Sequence, residues 1–262
     1  MNLFRSEKPV IGMIHLLPLP GSPHFAGDPQ VIYERALWEA ETLEQAGVDG
    51  LIVENFGDEP YRAAEPQPEG LAFMAAVTRE VIRHVHIPVG VNVQFNAWQA
   101  EMAVAYACGA DFIRAEVFVD TVVSAQGLLY PCAAELTRYR KQLGAEVQIW
   151  ADVQTKYTTN LLPQSLTQSA LDAQAAGADA IIVTGAATGK ATPLEAIREV
   201  KEAVHLPVFA GSGTTLQNVA QVLAVADGVI VGSSLKEGGL ASNRVSAEQA
   251  RAFMQAARAS IR

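Results

Sequence analysis

Cysteine is scarce in this 262-residue chain: Cys108 and Cys132 are the only two, and they form no motif together. That excludes a disulfide framework and a cysteine zinc site, and it leads one to expect a reducing cytoplasm. Positive charge is also sparse. Lys and Arg total 19 against 28 Asp and Glu, a net charge of −9 with no basic stripe, which argues against a nucleic-acid partner. No apolar run approaches the 18 or so residues of a membrane span, and MNLFRSEKPVIGMIH lacks the apolar core of a secretion signal. Membrane association, if any, would therefore be peripheral.

What is present is a repeated grammar. AGVDGLIV (46–53), CGADFIRA (108–115), AGADAIIV (176–183) and VADGVIVG (225–232) each place Asp before a short apolar run. In the first three, Gly closes a preceding helix, because it adopts the left-handed C′ conformation without a Cβ penalty. IPVGVNV (87–93) and LPVFAGS (206–212) begin strands with Pro, where a missing N–H does least harm. KPVIGMIH (8–15) and EVQIWADV (146–153) bring the count to eight.

Between the runs, helical periodicity predicts a helix capped by Asp28, with Pro29 at its first position and Tyr33, Ala36, Leu37, Ala40 and Leu43 on one face. Further helices are expected over 70–85, 97–107, 131–143, 165–176, 193–204, 215–224 and 246–259. Strands alternating with helices imply a parallel sheet, and eight units imply closure. The expected fold is an α/β (β/α)8 TIM barrel, one domain over residues 1–262. The G-x-G-x-x-G fingerprint of an open doubly wound sheet is absent after the first three strands.

Such barrels carry their chemistry at the C-terminal ends of the strands. The candidates there are His15, Glu54, Asn55, Asn92, Gln94, Arg114, Glu116, Asp152, Lys156 and Thr184. AGSGTT (210–215) and VGSSLK (231–236) follow strands 7 and 8, where these barrels often bind phosphate. Gly211, Ser212, Gly213 and Thr214, with Gly232, Ser233 and Ser234, are the expected phosphate cradle, aided by the N-termini of the following helices. Asp152 with Lys156 offers acid–base catalysis or a Schiff base, or a structural ion pair. Glu54 and His15 complete the expected catalytic set, while Asn55, Asn92, Gln94, Arg114, Glu116 and Thr184 are expected to position the substrate.

TGAATGKAT (184–192) imitates a P-loop but has Thr184 where Gly is needed and Ala191 where Ser or Thr is needed. Thr188 and Lys190 are still expected to reach a polar ligand. Glu54, Glu116 and Asp152 are compatible with Mg²⁺, although no cofactor is required. His84 and His86 precede strand 3 and read as structural, as does His205. The Pro-rich segment 16–29 reads as a lid or oligomer contact, and the acids of 56–70 as a solvated face.

GMIHLLPLPGSP (12–23), GVDGLIVENFGDEPY (47–61), ADVQTK (151–156) and VTGAATGKATP (183–193), with the GSGTT and GSSLKEGG loops, resemble the BtpA family over nearly the whole chain. Tyr157 departs from the His expected after the lysine. The resemblance implies a relative of ribulose-phosphate-binding barrels. The family is named for a cyanobacterial factor needed to accumulate photosystem I, yet it has members beside sugar-metabolism genes in non-photosynthetic bacteria. The expected function is chemistry on a small phosphorylated carbohydrate-like metabolite (isomerisation, epimerisation or aldol cleavage) by a homo-oligomer. Photosystem I assembly and sugar-phosphate sensing are the alternatives.

Overall fold

The structure, a computed structural model, describes residues 3–185 and 191–261. Eight parallel strands close a barrel: β1 (Val10–His15), β2 (Gly50–Glu54), β3 (Val89–Asn92), β4 (Phe112–Ala115), β5 (Gln148–Val153), β6 (Ala180–Val183), β7 (Val208–Ala210) and β8 (Gly228–Val231). Each pairs with its sequence neighbours, and β8 returns to β1. Among the described residues eight α-helices surround them: α1 (Pro29–Ala46), α2 (Pro68–His84), α3 (Trp98–Cys108), α4 (Ala133–Leu143), α5 (Leu166–Ala175), α6 (Leu194–Ala203), α7 (Val219–Val225) and α8 (Ala247–Ser260). The predicted barrel is the one observed.

The repeated Asp has a structural cause. Asp49, Asp111, Asp179 and Asp227, each just before an even-numbered strand, accept a hydrogen bond from the backbone N–H of Val10, Val89, Ile149 and Val208 at 2.8–2.9 Å. The backbone N–H of each Asp returns a bond to that same residue's carbonyl at 2.8 Å. Four identical clamps therefore join strands in pairs at the N-terminal end of the barrel. They satisfy backbone groups that would otherwise lie at a buried sheet end without partners.

Inside the barrel, Phe112, Trp150 and Phe209 form a continuous stack with ring centroids 4.0 and 4.4 Å apart. Phe4 packs edge-on against Phe112 and Trp150 from below. Glycine makes room for these rings: a Cβ on Gly90 would lie 2.3 Å from Phe112, and one on Gly228 would lie 2.4 Å from Phe209.

Two expectations about the loops need correction. The helix predicted over 215–224 begins only at Val219, because Thr215–Asn218 form a turn in which the Asn218 side chain accepts from Thr215 N–H and donates to Gly213 O. After β8 come two short 3₁₀ turns, Ser233–Leu235 and Glu237–Gly239. Neither glycine loop therefore runs straight into a long helix. In addition, a small antiparallel sheet of Val122–Ser124, Gly127–Leu129 and Thr158–Asn160 covers one side of the barrel mouth. Sequence reasoning missed it.

Candidate active site

In-register pairing sets His15 beside Glu54 and Glu54 beside Asn92 at the C-terminal ends of β1, β2 and β3. A cavity of about 40 Å³ opens there, lined by His15, Glu54, Phe56, Arg114, Lys156 and the residues Gly211–Gly213 and Gly232–Ser233. Nine of the nineteen candidates thus line one space, and the two glycine loops form part of its wall.

His15 is fixed in one tautomer. Its Nδ1 lies 2.8 Å from the carbonyl of Ala241, so Nδ1 carries the proton and donates it. Burial, with Lys236, Lys156 and Arg114 nearby, holds its pKa well below the ordinary imidazole range. The ring is neutral, with a bare Nε2 beside Gly232, where a Cβ would lie 3.3 Å from it. Phe56 stacks on the imidazole at 4.4 Å and 14°.

Glu54 is buried, and this raises its pKa, while Lys156, Arg114 and a hydrogen bond from Gln94 act in the opposite direction. Lys156 makes no side-chain hydrogen bond or close ion pair to a described residue, so its ammonium faces the cavity. The loop carrying it is nonetheless pinned. Gln154 N–H donates to Asp120 and its side-chain amide to Gln164 O, while Thr158 Oγ1 donates to Thr155 O.

Asp152 does not pair with Lys156, contrary to one expectation. Its two oxygens accept the Nε and Nη2 of Arg114 at 3.1 and 3.0 Å, and Thr155 Oγ1 donates to Oδ2 at 3.1 Å. Both charges are buried, and this fork raises the Arg114 pKa despite burial. Arg114 is thus more than a hydroxyl-positioning residue. Its guanidinium lies in the cavity wall, with Nη2 3.5 Å from where a Gly211 Cβ would stand.

Other candidates are committed to the fold. Asn55 Oδ1 accepts from Gln94 N–H at 2.7 Å, and its amide donates to Asp58. Asn92 donates to Glu101 and to Arg114 O. Ser234 Oγ donates to Thr214 O, tying the two glycine loops together. Ser212 Oγ accepts from Gly185 N–H. By contrast, the hydroxyls of Thr184 and Thr214 are buried without a hydrogen-bond partner. Thr188 and Lys190 lie outside the described residues.

Glu116 accepts from Asn96 N–H and is buried among Glu54, Arg114 and Asp152, its pKa raised to about 8 chiefly by burial. Among the described residues no three His, Cys, Asp or Glu side chains gather closely enough to hold a metal. Asp58, expected in a solvated face, instead accepts from Leu19 N–H and joins the 16–29 and 56–70 segments.

Two buried ionisable groups went unforeseen. Glu101, behind Asn92, has a pKa raised well above normal by burial and by Glu116. Lys236 is fully buried on Glu39 at 3.1 Å, and Glu39 also accepts from Arg35 and from Val245 N–H. Lys236 lies in the GSSLKEGG motif, but its partner is 197 residues away and no local spacing reveals it.

Comparison with known proteins agrees with this architecture. Residues 6–259 match the model of the BtpA family. A protein of Pyrococcus abyssi is 40% identical over 93% of each chain. The photosystem I biogenesis protein BtpA of Synechocystis is 39% identical over 97% of this chain and 89% of its own. Among solved structures, a native KDPGal structure aligns with a TM-score of 0.61 at 18% identity over 98% of each chain. N-(5′-phosphoribosyl)anthranilate isomerase from Pyrococcus furiosus aligns with 0.58 at 16%, over 96% of this chain and 99% of its own. At such identities these structures speak to the fold alone. The family match and the relatives, spanning nearly the whole chain, make it a member of the BtpA family.

Proposed function

We propose that the protein is an enzyme acting on a small phosphorylated carbohydrate-like metabolite, with proton transfer next to a carbonyl as its chemistry. The observation that carries this reading is the unpaired Lys156 ammonium sharing one cavity with buried Glu54 and the bare Nε2 of His15. Perturbed titratable groups converging in a cleft are the physical mark of catalysis.

In this reading the phosphate sits against the backbone N–H groups of Gly211–Thr214 and Gly232–Ser234. Arg114 supplies positive charge, and the Thr214 and Thr184 hydroxyls gain the partner they lack. Glu54 as carboxylate removes the proton, Lys156 stabilises the enolate oxygen, and the neutral His15 accepts a hydrogen bond from a substrate hydroxyl at Nε2. The same set serves isomerisation, epimerisation or aldol cleavage, and a Lys156 Schiff base would be one form of the last. No step requires an organic cofactor.

The test is solvent-hydrogen exchange. Phosphorylated aldoses and ketoses are incubated with the protein in D₂O and followed by NMR, alongside a thermal-shift screen. Loss of a general base typically costs about 10²–10⁴ in rate, so Glu54→Gln should lower exchange at least 100-fold. A ligand at 100 times its Kd should add about 2.7 kcal/mol of stability. Neither exchange nor stabilisation with any member of the panel would overturn the proposal.

A second reading, a non-catalytic assembly factor docked peripherally on a membrane complex or on another copy of itself, is favoured by one feature. Val123 and Leu128, paired across the small antiparallel sheet, are exposed, as are Tyr130 just after its second strand and Leu161 and Leu162 just after its third. Leu128→Asp should abolish association without affecting exchange if that surface, and not the cavity, carries the function.

A further inference from the structure

The cavity does not end at Lys156. A wider one of about 510 Å³ opens beyond it, and Glu54, Phe56 and Lys156 line both. The inner space meets the glycine loops, His15 and Arg114. The outer adds the aromatic residues Tyr61, Phe95 and Tyr157 to Phe56, with Glu59 beside them. Phe56 already has one ring stacked on it, that of His15, so the beginning of a parallel stack is built into the wall.

Tyr157 is the informative member. It is 59% exposed, and its φ of 61° lies in the left-handed region. That region costs a side chain with a Cβ roughly 1–2 kcal/mol, and for a bulky residue it is a genuine outlier. Gln154, three residues earlier, is also left-handed at φ 49°. Such conformations persist where the surroundings over-determine them, and they cluster at ligand sites. Here the result is a large ring held at the rim beside Lys156.

We propose that the substrate carries, beyond its phosphate, a planar heteroaromatic group that lies in the outer cavity against Phe56 and Tyr157. This deepens the phosphate reading and rests on it for the ligand's orientation: anion on the glycine loops, sugar at Glu54 and Lys156, ring outward. The narrow inner cavity meets the glycine loops, and the ring occupies the larger outer space. A heteroaromatic ring suits the outer wall better than an alkyl chain, because Gln94 and Gln126 line the same space and, although Gln94 Nε2 is bonded to Asn92 and Gln126 Oε1 to Ser124, the other atom of each amide has no partner among the described residues. An alkyl chain would cover those polar groups without bonding to them, whereas a heterocycle offers in-plane donors and acceptors.

The test is calorimetric titration with ribose 5-phosphate, the four common ribonucleoside 5′-monophosphates and the matching nucleosides. Base–aromatic stacking predicts that at least one monophosphate binds about tenfold or more tightly than ribose 5-phosphate. Tyr157→Asn, which keeps a residue tolerant of the left-handed region, should erase that advantage while ribose 5-phosphate binds as before. Tyr157→Phe should keep it. Ala125→Trp, which fills the outer cavity from the small sheet, should erase it independently. If ribose 5-phosphate binds and every monophosphate binds only equally well, the heteroaromatic proposal is overturned and the phosphate reading stands. If a nucleoside binds as tightly as its monophosphate, the ring site stands and the phosphate reading falls. If nothing binds, both fall.

Discussion

Replacing Asp152 with Ala removes the counter-charge from a guanidinium that is almost wholly buried in the cavity wall. Breaking one partner of a buried ion pair typically costs about 3–5 kcal/mol, because the remaining charge can neither ionise away nor reach water. Thr155 also loses its acceptor. For a chain of this size each kcal/mol moves Tm by about 2–4 °C, so Asp152→Ala should melt roughly 6–20 °C below the parent in differential scanning calorimetry. Two further arms make the argument specific. Arg114→Met with Asp152→Leu replaces the pair by apolar groups of similar size, and should recover most of the loss. Inorganic phosphate should raise the Tm of Asp152→Ala more than that of the parent, since an anion at the glycine loops would supply the missing charge. A drop of less than about 2 °C for Asp152→Ala would refute the reasoning. So would a double variant whose loss equals the sum of the two single losses.

Three other outcomes are expected. Glu116 ionises at about 8 in the folded protein against an ordinary 4.5, so the stability from its buried neutral form is full below about pH 4.5 and lost as pH rises through about 8. Glu116→Gln should therefore gain Tm relative to the parent between pH 5 and pH 9, and a gap independent of pH would contradict this. Nitrogen-15 NMR should find His15 protonated at Nδ1 and bare at Nε2 even at pH 5.5, because burial and three nearby cations oppose imidazolium; an imidazolium signal there would show the ring to be solvated. Gly90→Ala drives a Cβ to 2.3 Å from a ring in the Phe112–Trp150 stack, and overpacking of this kind costs about 1–3 kcal/mol, visible as a Tm loss of roughly 2–12 °C.

The barrel was legible in the sequence because its punctuation is local. An Asp before a strand needs to reach only the neighbouring strand's first N–H, and Gly47 and Gly109 close their helices at φ 90° and 77° within the same few residues. The small antiparallel sheet was not legible for the opposite reason. Its three strands have three residues each, and Val123 and Thr159 meet across 35 intervening positions without a periodic run to announce them.

The roster of site residues followed from the rule that barrel chemistry sits at strand ends. Its internal pairing did not, because pairing depends on geometry between strands. Asp152 and Lys156 are close in sequence, yet Arg114 on the adjacent strand β4 presents its fork edge-on to the carboxylate and takes both oxygens. That choice leaves Lys156 without a close ion pair among the described residues. The same accounting separates the other candidates: Asn55, Asn92 and Ser234 have polar atoms occupied by the fold, whereas His15 Nε2 and the Thr214 hydroxyl do not. A buried polar group without a partner carries a free-energy cost that an arriving ligand can relieve. The chemistry of this site is therefore to be sought at the cavity-lining groups the fold leaves uncommitted: His15, Glu54 and Lys156 on one side, the glycine loops after β7 and β8 on the other.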